Sequence, residues 1–282
     1  MELLSKAVPF AVLVFVVSSM LAMGLGLSIR EILGPLRNGR LVLMALLANF
    51  VLTPLGALAI ARLLHLDRPL GIALLLLGLA AGSPFLPKLK AMAKGDLASA
   101  VALMVLLMVA TIAYMPLVLP LLLEGVSINP LNIARSLVLL MLVPLALALA
   151  IKARFEQVAT RARAPLDKLS SLSLLVLVVL LLVTNIHNVI SLFGTRGIGA
   201  SILFVLMGYG IGWILGGRNA HTKGVLAFGT AQRNISAALV VGNQNFDDPR
   251  VMVMLVVVAI IGLLILVPLA RAVGSRAQEQ AA

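Results

Sequence analysis

Cysteine is absent from this 282-residue chain, which excludes disulfides, thiolate metal sites and a lipid-modified cysteine anchor. Charge is scarce as well. Only 11% of the residues are charged and 62% are apolar, against about 25% and 45–50% in soluble domains. A chain so short of charge cannot hide its apolar surface in water, and the lipid bilayer is its expected solvent. Period-two alternation is missing from the apolar runs, which argues against a membrane β-barrel and leaves helices. No carboxylate lies deep in any apolar run, and the three histidines, His65, His187 and His221, sit at separate run ends. An intramembrane protease or metal hydrolase needs a nucleophile beside a base, or clustered ligands; neither pattern is present, so no catalytic residue and no metal site is expected. The first run lacks a small-residue cleavage site and reads as a retained helix.

What the chain does have is nine apolar segments of bilayer-spanning length, expected over residues 8–28, 40–65, 69–94, 96–123, 133–152, 168–193, 198–217, 221–246 and 249–273. The longest charged linker, 152–168, leaves no room for a separate soluble domain. The net charge of +12 raises the question of nucleic acid, and the distribution of the charge answers it. Nine alternating spans put fifteen of the 22 lysines and arginines on one side and six on the other, with Arg233 the remaining one. By the positive-inside rule the fifteen-residue side is cytoplasmic, so the N-terminus is expected outside and the C-terminus inside a bacterial inner membrane. The basic residues are then topology signals and no nucleic-acid partner is expected. Gly208, Gly212 and Gly216, four residues apart, read as a close helix contact.

Two spans carry interruptions. The third passes from apolar residues into Ala81-Gly82-Ser83-Pro84-Phe85-Leu86-Pro87, where Gly82, Pro84 and Pro87 together should break the helix. The eighth contains Phe228-Gly229-Thr230-Ala231-Gln232-Arg233-Asn234, with Gly229 as the expected break. Arg233 stands about mid-bilayer, where a charge costs roughly 2.5–3.5 kcal/mol or more unless something faces it. Unwound carbonyls, Gln232, Asn234 and Asn49 of the second span are candidate partners. Two readings stay open. In one, the guanidinium receives a substrate anion through bidentate bonds; in the other, helix-end carbonyls pin it to hold the helices together.

Other polar residues are weaker candidates. Lys88 and Lys90 are within snorkelling reach of water, with Lys88 the better functional candidate of the two. Asn185, His187 and Asn188, and separately Asn243, Gln244 and Asn245, read as polar caps at outer span ends. Broken helices at corresponding places in two halves mark an inverted repeat with its site at the repeat interface. Spans two to four and seven to nine correspond in this way.

At these residues the chain resembles the bile acid:sodium symporter family. The similarity runs through Met23-Gly24-Leu25, Ala48-Asn49-Phe50 with Pro54, Ala93-Lys94-Gly95-Asp96, and Gln232-Arg233-Asn234 followed by Ala237-Ala238-Leu239. The resemblance implies an all-α polytopic membrane fold of ten helices in two inverted repeats, of which this chain is expected to lack the first. A core of residues 40–123 and 198–273 would hold two crossing broken helices, and helices 8–28, 133–152 and 168–193 would form a panel beside it. Relatives carry organic anions coupled to two sodium ions. Here the expected sodium ligands are replaced by Leu86, Pro87, Ala100, Met104, Gly229 and Arg233, leaving only Asn234 and, shortened, Asn49. Sodium wants several hard oxygen ligands, so both sodium sites are expected to be absent and no cofactor is assigned, with Arg233 supplying the positive charge permanently.

The expected function is therefore secondary transport of a small organic anion by alternating access, without the family's sodium sites. The expected substrate-binding residues are Arg233, Asn234, Gln232, Thr230, Asn49, Ser83 and Lys88. The lipid bilayer and the anion are the expected partners, and a monomer the expected state. Sodium-dependent symport of an organic anion, and a non-transporting sensor or channel on the same fold, are the alternatives.

Overall fold

The computed structural model describes residues 2–28, 33–123, 129–184, 186–187 and 196–279, and among these every regular element is helical. The helices are α1 (Glu2–Leu25), α2 (Gly39–Leu63), α3 (Arg68–Leu79), α4 (Leu86–Met92), α5 (Leu97–Leu122), α6 (Pro130–Arg154), α7 (Glu156–Thr184), α8 (Gly197–Leu215), α9 (Ala220–Ala231), α10 (Ile235–Asn245) and α11 (Pro249–Glu279). Seven are long and apolar enough to cross a membrane: α1, α2, α5, α6, α7, α8 and α11. The remaining two of the nine expected segments are the broken ones, α3–α4 and α9–α10. The protein is a multi-pass membrane protein.

Helices α1, α6 and α7 pack on one another, while α2–α5 and α8–α11 form a second group. Within the second group a whole helix, a broken helix and a long helix occur twice in the same order. The two groups meet chiefly where α1 and α6 lie against α10 and where α6 follows α5.

Described residues of six connections gather at two ends. Residues of the α1–α2, α4–α5 and α8–α9 connections surround one cavity of about 390 Å³, lined among others by Asn38, Asp96 and Asn219. At the opposite end Arg250 bridges Asp248 (2.7 Å) and Asp67 (3.6 Å), and Arg196 donates to the Leu64 carbonyl at 3.1 Å. The bonds from Arg250 hold the Asp248 carboxyl below its ordinary value, against the opposing push of burial. These contacts tie the α2–α3, α7–α8 and α10–α11 connections together.

One expected boundary is wrong. The charged stretch 152–168 is not a linker; α6 runs to Arg154 and, after Phe155, α7 starts at Glu156, twelve residues earlier than expected. Its charge hid an amphipathic face. Ala159, Ala162 and Leu166 recur at helical spacing and pack against Leu25 of α1 and Ala148 of α6, with the charges turned outward.

The glycine row on α8 is a helix contact, as expected. A Cβ on Gly208 would stand 3.1 Å from the Thr230 carbonyl, and one on Gly212 or Gly216 would collide with the backbone of Leu226 or Lys223. The partner atoms are backbone and cannot turn aside. Gly199 on the same helix faces open space. We expect G212A to lower the thermal midpoint in detergent by about 5 °C and G199A to leave it unchanged or raise it. Equal midpoints for the two variants would refute the close contact.

Candidate functional site

The first break is a turn pressed against α5. Helix α3 ends at Leu79, and residues 80–85 are non-helical before α4 begins at Leu86. Gly82 has φ +80°, and a Cβ there would run into the backbone of Met104 and Met108, so glycine is required twice over. Pro84 lies in the turn. Pro87 does not: it is the second residue of α4, where its missing N–H has no intrahelical acceptor to lose. It opens a helix instead of breaking one.

The second break also lies elsewhere than expected. Helix α9 continues through Gly229 to Ala231, and the interruption is Gln232–Asn234. Gly229 is a packing glycine. The methyl groups of Leu103 and Leu86 lie 3.1 and 3.3 Å from where its Cβ would stand.

The two breaks touch directly, the Asn234 amide donating to the Ala80 carbonyl at 2.9 Å. Each of α3 and α9 ends here with carbonyls that no further helical turn can satisfy. Arg233, 5% exposed, supplies the donors. Its Nε donates to the Leu77 carbonyl and its Nη2 to the Gly78 carbonyl, both at 2.8 Å. Its Nη1 donates to the Thr230 carbonyl at 3.1 Å and to Asn49 Oδ1. Four of the five N–H groups of a guanidinium are thereby engaged. The Nε/Nη2 edge, which would grip a carboxylate through two parallel bonds, is spent on α3. Of the sequence-derived partners, the carbonyls and Asn49 are present, while Gln232 and Asn234 do not bond Arg233.

Asn49 is aimed by a local defect in α2. Residues Ala48–Leu52 form a π turn, which widens the helix and leaves carbonyls to be satisfied from outside. Thr53 Oγ1 donates to the Ala48 carbonyl at 2.7 Å, and the Tyr114 hydroxyl of α5 donates to that of Phe50. Asn49 Nδ2 donates to Ala45 (3.0 Å) and to Thr230 Oγ1 (3.3 Å). Thr111, one turn before Tyr114, bonds both the amide (2.9 Å) and the carbonyl (3.2 Å) of Ala81. Neither α5 residue was singled out from the sequence, although polar side chains three apart in an apolar helix are a legible signal.

Beyond the crossing, α10 presents its N-terminus. Asn234 caps it, Oδ1 accepting from the Ala237 amide at 3.1 Å. Asn234 Nδ2 and Ser236 Oγ are buried with no hydrogen-bond partner among the described residues. Buried polar atoms are nearly always bonded, so this pair stands out. Ser236 also escaped the sequence reading. Gln232 is buried beside them, and Ser83, 3% exposed, accepts from the Phe85 amide at 3.3 Å.

Lys88 is not brought to the crossing. It is exposed, pairs with Asp167 of α7 at 3.7 Å and stands over the Phe85 ring. Lys90 is the buried one, 3% exposed, its Nζ lying 2.2 and 2.7 Å from where a Cβ on Gly95 or Gly224 would stand. The snorkelling account fits Lys88 and fails for Lys90. Among the outer caps, Asn245 Nδ2 donates to the Val241 carbonyl at 2.9 Å, Ser136 of α6 bonds Gln244, and His187 is exposed. Asn185, Asn188 and the span end at Phe193 lie outside the described residues.

The side chains at the expected sodium positions supply few hard oxygens. The space in front of Gly229 is filled by the methyls of Leu86 and Leu103. Pro87, Ala100 and Met104 offer no hard side-chain oxygen. The carbonyls of Leu77, Gly78 and Thr230 already face a guanidinium.

A family model described as the sodium bile acid symporter family matches residues 12–192. The match includes the first break and ends before the second. No curated protein matches the chain.

Proposed function

Because this chain belongs to the sodium bile acid symporter family, whose members are transporters and not enzymes, we propose that it carries a small organic anion across the bacterial inner membrane by alternating access, without the family's two sodium ions. The N-terminus lies outside and the C-terminus in the cytoplasm. Helices α1, α6 and α7 act as the panel, and α2–α5 with α8–α11 as the core that rocks against it.

The observation that carries this reading is the engagement of Arg233 by four protein acceptors. The guanidinium does the work of a bound cation: it neutralises the negative ends of two half-helices where they meet. It neither dissociates nor deprotonates, so the crossing is assembled at every stage of the cycle. A fixed cation cannot itself exchange with a sodium gradient. Uniport, anion exchange or proton coupling through the substrate follows. Arg233 is a structural member of the site, and the anion is received one step away by the N-terminus of α10. There Asn234 Nδ2 and Ser236 Oγ are unpartnered donors, and the helix dipole favours negative charge. Helix α1 of the panel packs on α10, so movement of the panel covers or opens that position. Thr230 and Asn49 bind no substrate; they orient Arg233.

A thermal-stability screen of the purified protein against small carboxylates and sulfonates identifies the ligand class. With a hit in hand, uptake into proteoliposomes is expected to be saturable and to change less than twofold when choline replaces sodium. Loss of uptake in choline would establish sodium coupling and overturn the fixed-cation reading. Absence of saturable counterflow would favour a channel or sensor.

A further inference from the structure

A second cavity, of about 310 Å³, lies at the basic end of the molecule between α2, α8 and the start of α9. Arg40 and Arg218 line it, together with Asn219 and the apolar Met44, Leu215 and Leu226. Both arginines are exposed, and among the described residues neither guanidinium has a carboxylate or a hydrogen-bond acceptor. The turn between α8 and α9 sets Gly217, the chain neighbour of Arg218, against Arg40. Gly217 is left-handed at φ +69°, and Arg40 Nη2 lies 3.1 Å from where its Cβ would stand. Two like charges sharing a cavity repel unless an anion lies between them. Helix ends add to the attraction: Asn38 and Asn219, the N-caps of α2 and α9, line the same cavity, so two positive dipole ends face it.

The depth of the cavity says what kind of anion. Trp213 of α8, half-exposed two residues before Leu215, has Lys223 Nζ 4.8 Å from its ring. A tryptophan topped by a lysine marks the level of lipid headgroups. Leu43 and Ile214, beside the lining residues Met44 and Leu215, are 60% and 76% exposed, as lipid-facing side chains are. The apolar wall of Met44, Leu215 and Leu226 has no use for an ion surrounded by water. We propose that this cavity binds an anionic phospholipid, its phosphate between Arg40 and Arg218 and the start of an acyl chain against Met44, Leu215 and Leu226. Basic pockets between helices at the headgroup level take such lipids.

Trp213 is the only tryptophan in the chain, and it stands on α8 two residues before Leu215 of the cavity wall, so its fluorescence reports on this end of the molecule. The intact protein is reconstituted in phosphatidylcholine containing a minority of brominated phosphatidylglycerol, and compared with the same fraction of brominated phosphatidylcholine. Trp213 is expected to see the anionic lipid at an effective excess of about fivefold for each arginine. R40Q/R218Q should reduce that excess to the bulk ratio. R40K/R218K keeps the charges and should retain most of the excess, which separates loss of the site from loss of the fold. Equal quenching by the two lipids, or a preference that survives R40Q/R218Q, overturns the proposal. Inorganic phosphate titrated into detergent-purified protein decides the source. A saturable rise in thermal midpoint that R40Q/R218Q abolishes would make the occupant a soluble phosphate and overturn the lipid assignment.

Discussion

Arg233→Ala is expected to cost the protein its fold before it costs it a substrate. The substitution leaves the carbonyls of Gly78 and Thr230 and the Asn49 Oδ1 atom without a donor and the Leu77 carbonyl with only the Ala80 amide at 3.1 Å, all four in the buried interior, where water replaces them poorly. A buried acceptor left unsatisfied costs about 1–3 kcal/mol. Even with some relaxation, a loss on the order of 4 kcal/mol follows, which lowers the thermal midpoint in detergent by roughly 10 °C. Arg233→Lys is expected to fall between. An ammonium is one compact point with three donors, and it cannot span acceptors set around a plane. The measurement is a melt of the ligand-free protein, made before any transport assay. If Arg233→Ala melted like the unaltered protein and only failed to take up substrate, the guanidinium would be the anion receptor after all.

That distinction was not available from the sequence, and the reason is physical. The position of Arg233 in the eighth span is enough to show that a mid-bilayer charge needs a partner, and partners of two kinds were compatible with it. What decides between them is which carbonyls the neighbouring half-helix leaves unsatisfied, and that depends on where α3 stops. Three breaker residues within six positions locate the break only to within a turn. Helix α3 stops at Leu79, and Pro87 falls on the far side of the turn as a helix starter. Gly229 misled for the same reason: glycine weakens a helix but does not end one, and the close approach of Leu86 and Leu103 gives it a different use. The nine segments, by contrast, were legible because each is a long run of one polarity. The error at 152–168 was one of scale. Charge density suggested a loop, whereas the three- and four-residue spacing of Ala159, Ala162 and Leu166 encoded a helix face.

Asn234→Asp separates receiving the anion from holding the crossing. In the unaltered protein Asn234 has two jobs on two atoms. Oδ1 accepts from the Ala237 amide and caps α10, while Nδ2 is buried without a partner. Aspartate keeps the first atom and improves it, since a carboxylate at a helix N-terminus is favoured by the dipole, and the Arg233 guanidinium next to it in the chain offsets the added charge. The melt is therefore expected to stay within about 2 °C of the unaltered protein. The second atom becomes an oxygen, and a negative one. A donor that would have met the anion is replaced by a charge that repels it, and a like-charge contact at that depth is worth several kcal/mol. Saturable uptake should fall by at least about a hundredfold. Ser236→Ala is the milder companion. It deletes a hydroxyl that has no partner among the described residues, so the ligand-free melt should hold or rise while half-saturation weakens by roughly five- to tenfold. Normal uptake by Asn234→Asp would remove the α10 N-terminus from the substrate path.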